Sequence, residues 1–344
     1  MKALRGAGWL ACSWLACACG AFDAKPGPAQ PARLLVHAAT DASAFVTVIE
    51  DFEQLSGIEV EHVQMSSKEL YEDARIASGA TRPDLLISSA MDLQAKLVND
   101  GFALEHEQAE TWLPAWARWR NEAFGFTREP AVLAYNTHLL AGSDVPHTRA
   151  ALLALLRDPS RPLRHRIGTY DIRQSGLGYL LATQDARLTP LSAALATAMG
   201  DNDIFLAAET RTLLQRVASG ELALAYNVLG SYAQARIDAG DPVQLIQLED
   251  YTLVVARVAL IPKSAPHAAQ ARRLLDYLMS QRGQRTLAKS GLPPLAGERA
   301  PTRDTSALRP VPLGPGLLVY RDAHKRNAFL EAWTNAIHPA TTGF

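Results

Sequence analysis

Residues 33–57 read RLLVHAATDASAFVTVIEDFEQLSG. The run 34–38 has the length and apolar content of a buried strand. After it, Phe45, Ile49, Phe52 and Leu55 recur at helical spacing, with Gly57 placed to stop the helix. Working outward, 58–64 alternates apolar and polar residues as a second strand, and Ser66-Ser67-Lys68-Glu69 has the form of a capping box. There the Ser hydroxyl and the Glu carboxylate satisfy each other's free amide donors at a helix start. Residues 84–88 read as a third strand, and Ser89-Ala90-Met91-Asp92 repeats the capping pattern ahead of Leu93, Leu97 and Val98. This β-α-β-α order predicts a parallel, doubly wound sheet, and such sheets bind ligands at the carboxyl ends of their strands.

A second series of the same kind begins at Arg166. Strand 167–170 leads to a helix opened by Ser175-Gly176-Leu177-Gly178. Leu213, Leu214 and Val217 mark a helix closed by Gly220, and strand 221–226 precedes a helix from Gly230-Ser231 to Gly240. Two long apolar runs flank the second series. One, 124–135, precedes it and is broken by Arg128-Glu129-Pro130; the other, 251–262, follows it and is interrupted by Arg257, and is long enough to cross back between sheets. The stretch 111–121, with Trp112, Trp116 and Trp119 and a Pro114 suited to a first helical turn, predicts a helix packing Trp116 and Trp119 on the first lobe. A helix over 268–278 is assigned to that lobe, and 323–337 to a final amphipathic helix. The expected division is 32–130 plus 260–344, with the C-terminal tail, for the first lobe and 131–259 for the second.

The whole chain has 344 residues, 48% apolar and 20% charged, with a formal net charge of −1. That composition excludes a disordered chain or a disulfide-dense mini-scaffold. There is no overall field for a polyanion and no block of five or more Lys/Arg, so no nucleic-acid partner is expected. The three cysteines, Cys12, Cys17 and Cys19, fall in the first nineteen residues. Lys2 and Arg5, the apolar run from Trp9 to Phe22 and the small residues up to Ala24 form a secretory signal peptide by pattern, residues 1–24. The protein is expected in the periplasm, cleaved near Ala21 or Ala24, or else lipid-anchored at Cys17 or Cys19. Ordinary cleavage leaves a chain without cysteine and without thiol chemistry.

No G-x-S-x-G elbow, H-E-x-x-H, P-loop or G-x-G-x-x-G occurs, and no two of the nine histidines lie within four residues of each other. No enzyme, cofactor or metal site is therefore expected. The positive signal is a set of small polar residues where strands end and helices begin: Thr40-Asp41, Ser66-Ser67, Ser88-Ser89, Thr169-Tyr170-Asp171 with Ser175, and Asn227 with Ser231. Any one of these is more often a plain helix cap. Together, in two lobes, they would bring several helix starts to one cleft, where free amides and helix dipoles suit phosphate or carboxylate oxygens. Arg128 and Arg173 are candidate anion partners. Tyr226 ends an apolar strand and suits a hydrogen bond to a ligand hydroxyl, or a phenolate ligand to ferric iron.

The runs Ala39-Thr40-Asp41, Ser88-Ser89-Ala90-Met91-Asp92-Leu93-Gln94, Phe124-Gly125-Phe126-Thr127-Arg128-Glu129-Pro130, Gly168-Thr169-Tyr170-Asp171 and Ala225-Tyr226-Asn227-Val228-Leu229-Gly230-Ser231-Tyr232, in that order, resemble the substrate-binding proteins of bacterial ABC importers. The similar branch holds the phosphoglycerate-regulatory, hexose-phosphate and ferric-iron binding proteins. The resemblance implies an α/β type II periplasmic-binding fold: two doubly wound lobes joined by two crossover strands that close like a hinge. It further implies a monomer that captures a small anionic ligand and delivers it to an ABC permease, with a membrane histidine kinase as the alternative partner. The implied ligand-binding residues are Thr40, Asp41, Ser88, Ser89, Arg128, Thr169, Tyr170, Asp171, Ser175, Tyr226 and Asn227. The ferric branch carries adjacent tyrosines at the Tyr226 position and a His or carboxylate near the first helix start. Here Asn227 replaces the second tyrosine and the first loop has no His, which favours an oxygen-rich organic anion.

Overall fold

The computed structural model describes residues 33–76, 82–107, 113–161, 163–295 and 305–338. The signal peptide, its cysteines and Trp112 lie outside the described residues. No helix among the described residues is long and apolar enough to cross a membrane.

The chain opens with β1 (Arg33–Ala38), α1 (Ala42–Ser56), β2 (Glu59–Gln64), α2 (Ser67–Ile76), β3 (Leu85–Ser88) and α3 (Met91–Asn99). β1 pairs in parallel with β2 on one side and β3 on the other, as the alternating pattern predicts. Phe45, Val48 and Phe52 of α1 are buried against this sheet, whereas Leu55, expected on the same face, is exposed in the last turn. Gly57 ends the helix in the left-handed region, φ 68°, its N–H on the Glu53 carbonyl, a conformation open to Gly at no steric cost. The first capping box forms: the Ser66 N–H donates to Glu69 Oε2 at 2.9 Å and the Glu69 N–H to Ser66 Oγ at 3.2 Å. The second does not, because Ala90 rather than Ser89 caps α3, and Asp92 turns inward instead of back along the helix.

The predicted tryptophan helix is also absent. A single 3-10 turn at Ala115–Ala117 runs into β4 (Arg118–Trp119), and Arg120 and Asn121, both at positive φ, turn the chain into β5 (Ala123–Gly125). Trp116 and Trp119, half-buried, still pack on the hydrophobic core without a helix to carry them. The broken run 124–135 passes from one sheet to the other as expected, with β5 in the first sheet, β6 (Glu129–Asn136) in the second and the crossing between them.

The second lobe follows: α4 (Arg149–Arg157), β7 (Ile167–Tyr170), α5 (Gly176–Leu188), α6 (Leu191–Asp201), β8 (Phe205–Ala207), α7 (Thr210–Ala218), β9 (Leu224–Leu229), α8 (Gly230–Asp238), β10 (Val243–Ile246) and β11 (Thr252–Val255). The return crossing at Ala256-Arg257 leads to β12 (Val258–Leu260), antiparallel to β3 and β5, then α9 (Ala268–Met279) and α10 (Gln281–Lys289). The first sheet runs β2-β1-β3-β12-β5-β4. The two crossings lie side by side, with Val255 opposite Glu129 and Val254 opposite Pro130, forming a paired hinge.

The C-terminal residues correct the expectation that the tail belongs to the first lobe. β13 (Leu308–Pro310) adds to the second sheet beside β11, giving β13-β11-β6-β9-β7-β8 with β10 on β6. α11 (Ala323–Ile337) packs on α6, where Ile337 and Trp333 join the second lobe's core. Between them, 315–321 lies on α3 of the first lobe and sets Arg321 3.5 Å from the buried Asp92, near the rings of Tyr71 and Tyr179. Sequence order alone could not reveal that pairing, because β11 and β13 are separated by some fifty residues.

Candidate functional site

Six helices begin at one cavity between the lobes, with Asp41 before α1 and Leu229 before α8 among its lining. Its walls carry Ser66 and Ser67 at the start of α2, Ser89 before α3, Ser175 before α5, and Thr210 and Arg211 in the first turn of α7. Each start leaves backbone N–H groups without helical acceptors and the positive end of the helix dipole. Helix α5 is capped by Ser175, whose Oγ accepts from the Gly178 N–H at 3.1 Å. The hydroxyls of Tyr170 and Thr210 bond to each other on the second-lobe wall. Burial raises the Tyr170 and Tyr232 phenols well clear of neutral pH, so both act as neutral hydrogen-bonding groups. The cavity measures about 90 Å³.

The floor is built at the hinge. Arg257 is fully buried and faces Glu129, Nε to Oε1 at 2.6 Å, on the paired crossing strands. Its Nη1 donates to Thr40 Oγ1 at 2.6 Å, and Tyr232 lies beside the guanidinium. Ser231 and Thr127 donate their hydroxyls to Glu129. Burial works against the charge on Arg257, but Glu129 and Tyr232 hold its pKa above the ordinary arginine value. The floor therefore presents a guanidinium whose charge is fixed and whose counter-charge lies behind it.

The lobes are closed on each other. Asp41 of the first lobe pairs with Arg211 of the second and accepts from Gln64 Nε2 at 2.9 Å. The Asp41 N–H reaches the Tyr232 hydroxyl at 3.4 Å, and the Lys68 ammonium donates to the Arg173 carbonyl. Gly176 allows this approach: a Cβ there would stand 2.6 Å from Ser67 Oγ and 2.9 Å from Leu93 Cδ1.

A sequence model of bacterial extracellular solute-binding proteins matches residues 34–292. The chain belongs to that family. Among solved structures it is similar to the substrate-binding protein of an ABC transporter from Agrobacterium tumefaciens, at 34% identity, 90% of this chain, 96% of the other and TM-score 0.83. It also shares its fold with fructose-6-phosphate-bound AfuA from Actinobacillus pleuropneumoniae (18% identity, 90% and 99% coverage, TM-score 0.74). Iron-bound HitA from Pseudomonas aeruginosa has the same fold (19%, 89% and 99%, TM-score 0.72). No curated protein matches the chain. The family comprises receptors of ABC transporters rather than enzymes, and its members act after export.

This solute-binding protein places the residues expected from sequence in three settings. Thr40, Asp41, Ser89, Tyr170 and Ser175 line the cleft cavity. Ser88, Arg128 and Asp171 do not: the Ser88 Oγ accepts from the Ala90 N–H, and the Arg128 N–H binds the Pro293 carbonyl. Asp171 is held by both arms of Arg173, each at 2.9 Å, which overcomes burial and keeps its pKa low. This pairing also commits Arg173. Thr169, Tyr226 and Asn227 lie behind α5, away from the cleft. There the Tyr226 hydroxyl sits between Arg149 Nε and Asp185 Oδ2, 2.8 Å from each, and the Asn227 Nδ2 donates to Asp185 at 2.6 Å. Arg149 also reaches the Tyr251 carbonyl, and the Tyr251 hydroxyl donates to Asp185. This buried polar network welds α4, α5, β9 and the residue that leads into β11.

The cleft residues missed by sequence reading are Arg257, Arg211, Gln64, Thr210 and Tyr232. Arg257 and Glu129 did leave a signal, each a charge inside an otherwise apolar crossing strand. Buried charges survive only in pairs, so two such charges on two expected crossings imply each other. Arg211 left none, as an exposed-looking arginine in an amphipathic helix.

Proposed function

We propose that this receptor captures a small anionic solute, a phosphorylated sugar, another organic phosphate or a carboxylate, by closure of its lobes and delivers it to an ABC permease. The observation that carries the reading is the convergence of six helix starts on a cavity flanked by Arg211 and Arg257. Free amides and dipoles attract oxyanions there, while the serine and threonine hydroxyls accept or donate as the ligand requires. Asp41 would take a bond from a ligand hydroxyl. The limited volume suits one anionic group held in the closed form, with the rest of a larger ligand directed along the cleft. The ferric-iron alternative lacks similar support, because the tyrosine it would use has its hydroxyl tied to Arg149 and Asp185.

Thermal denaturation against a panel of sugar phosphates, other organic phosphates and di- and tricarboxylates tests the reading. A ligand at a hundred times its Kd adds about 2.7 kcal/mol of stability, so a saturable rise in Tm is expected for at least one member. Ser67→Asp, which places a carboxylate at a converging helix start, should abolish that rise. If no member of the panel raises Tm, the ligand class is wrong.

A further inference from the structure

Behind α5, on the far side from the cleft, the second lobe carries another cavity of about 280 Å³, three times the size of the first and open to solvent on one side. Thr169 and Asn227 of β7 and β9 form its floor, Leu181 of α5 and Met199 of α6 its walls, and Phe329 and Trp333 of α11 its roof. An engineered apolar cavity of about 150 Å³ binds benzene, so this one accommodates a fused bicyclic ring.

The floor decides what chemistry fits. Asp185 is already met by four donors, from Arg149, Tyr226, Tyr251 and Asn227. It offers no attraction to a further cation, and an ion entering the apolar chamber would lose its water without a counter-charge. Asn227 is different. It is only 5% exposed, and its Nδ2 is fixed on Asp185, which orients the amide. No donor among the described residues reaches its Oδ1. Its backbone is held at φ 58° within strand β9, a conformation most non-glycine residues avoid and asparagine tolerates. The Oδ1 is not among the fully buried unpaired atoms, so it stands open at the cavity wall, where the donor of a ligand or a water can meet it.

We propose that this cavity is a second binding site, for an uncharged bicyclic aromatic molecule that carries one N–H or O–H donor. The ring packs beneath Trp333 and Phe329 against the aliphatic walls, and the donor bonds to Asn227 Oδ1. The site is separate from the cleft, although Tyr170 belongs to the walls of both.

The test uses the full mature chain with indole as the probe and benzothiophene as its near-isostere without the N–H, followed by calorimetric titration. Indole is expected to bind at one saturable site, roughly fivefold tighter than benzothiophene, the worth of one net hydrogen bond. Filling the chamber with Ala182→Leu and Ala186→Leu should remove binding of both probes. Ala332→Trp, on the exposed helix, blocks the chamber from the roof if the double variant does not fold. Asn227→Gly, which accepts the positive φ, should keep benzothiophene binding and erase the preference for indole. Absence of saturable binding to the wild type, equal affinity for the two probes, or indole binding undiminished by the filling variants would each overturn the proposal.

Discussion

Glu129→Gln is the sharpest perturbation of the hinge. Glu129 and Arg257 have side chains 0% and 1% exposed, and their 2.6 Å contact links the two crossing strands. Glutamine keeps the shape and removes the charge, leaving a guanidinium buried without its partner while the Ser231 and Thr127 hydroxyls lose an anionic acceptor. Breaking a buried pair from one side costs about 3–5 kcal/mol. A long chain loses about 2 °C of Tm per kcal/mol, so a fall of roughly 6–10 °C is expected. Urea unfolding at pH 7 should show a lower midpoint at unchanged m. Adding Arg257→Met removes the stranded charge at similar volume, and the double variant should recover most of the loss. The same double variant should bind cleft anions poorly, because Arg257 faces the cavity. A loss below about 1 kcal/mol for Glu129→Gln, against the 3–5 expected of a stranded charge, would refute the reasoning. So would a double variant less stable than the single one.

Gly176→Val should hold the lobes apart, since even a Cβ there stands 2.6 Å from Ser67 Oγ. Small-angle scattering should show a larger radius of gyration and calorimetry an affinity about tenfold weaker, equivalent to about 1.4 kcal/mol, and an unchanged affinity would count against closure over the ligand. Asp92 has its pKa raised to about 6 by burial, which outweighs the attraction of Arg321. Because the folded value lies above the unfolded one, its favourable contribution is complete below about pH 4 and lost as pH rises through 6. Asp92→Asn should therefore gain on the wild type between pH 4 and 7, on the order of 3 kcal/mol for two units, read as the difference between their Tm profiles. A flat difference would mean that burial does not penalise this carboxylate. Arg149→Met strands Asp185 beneath Tyr226 and should cost about 3–5 kcal/mol by urea unfolding, with affinity at the cleft preserved in the folded fraction.

Much of the architecture was legible because local patterns and global topology agree. The alternation of β1, α1, β2, α2 and β3, the Gly57 stop and the Ser66–Glu69 capping box are each set by residues within a turn of one another. So are the apolar crossings, whose length exceeds what one lobe needs. The misreadings share a cause: Trp116 and Trp119 have helical spacing but fall on a 3-10 turn and on the short strand β4 paired with β5, and Ser89–Asp92 matches a cap whose acid is drawn to Arg321, more than two hundred residues away. Local propensity is a weak prior wherever a distant partner outbids it.

By itself, the sequence determined the class of fold, the two βα series, the hinge strands and the habit of placing small polar residues at helix starts. Tertiary structure alone decided which of those starts share a cavity. Ser88 and Asp171 differ from Ser89 and Ser175 by a position or a few, yet the first two lie outside the cleft cavity and the second two line it, Ser175 while also capping α5. Tyr226 and Asn227 end a strand as a binding tyrosine should, but α5 lies between them and the cleft, and Asp185 has claimed them. The physical reason is that the positive φ of Asn227 breaks the alternation of the strand, so that it and Tyr226 meet the same chamber, and residues beyond a strand end have no alternation to read. Which face meets the ligand is settled by the helices that cover the other.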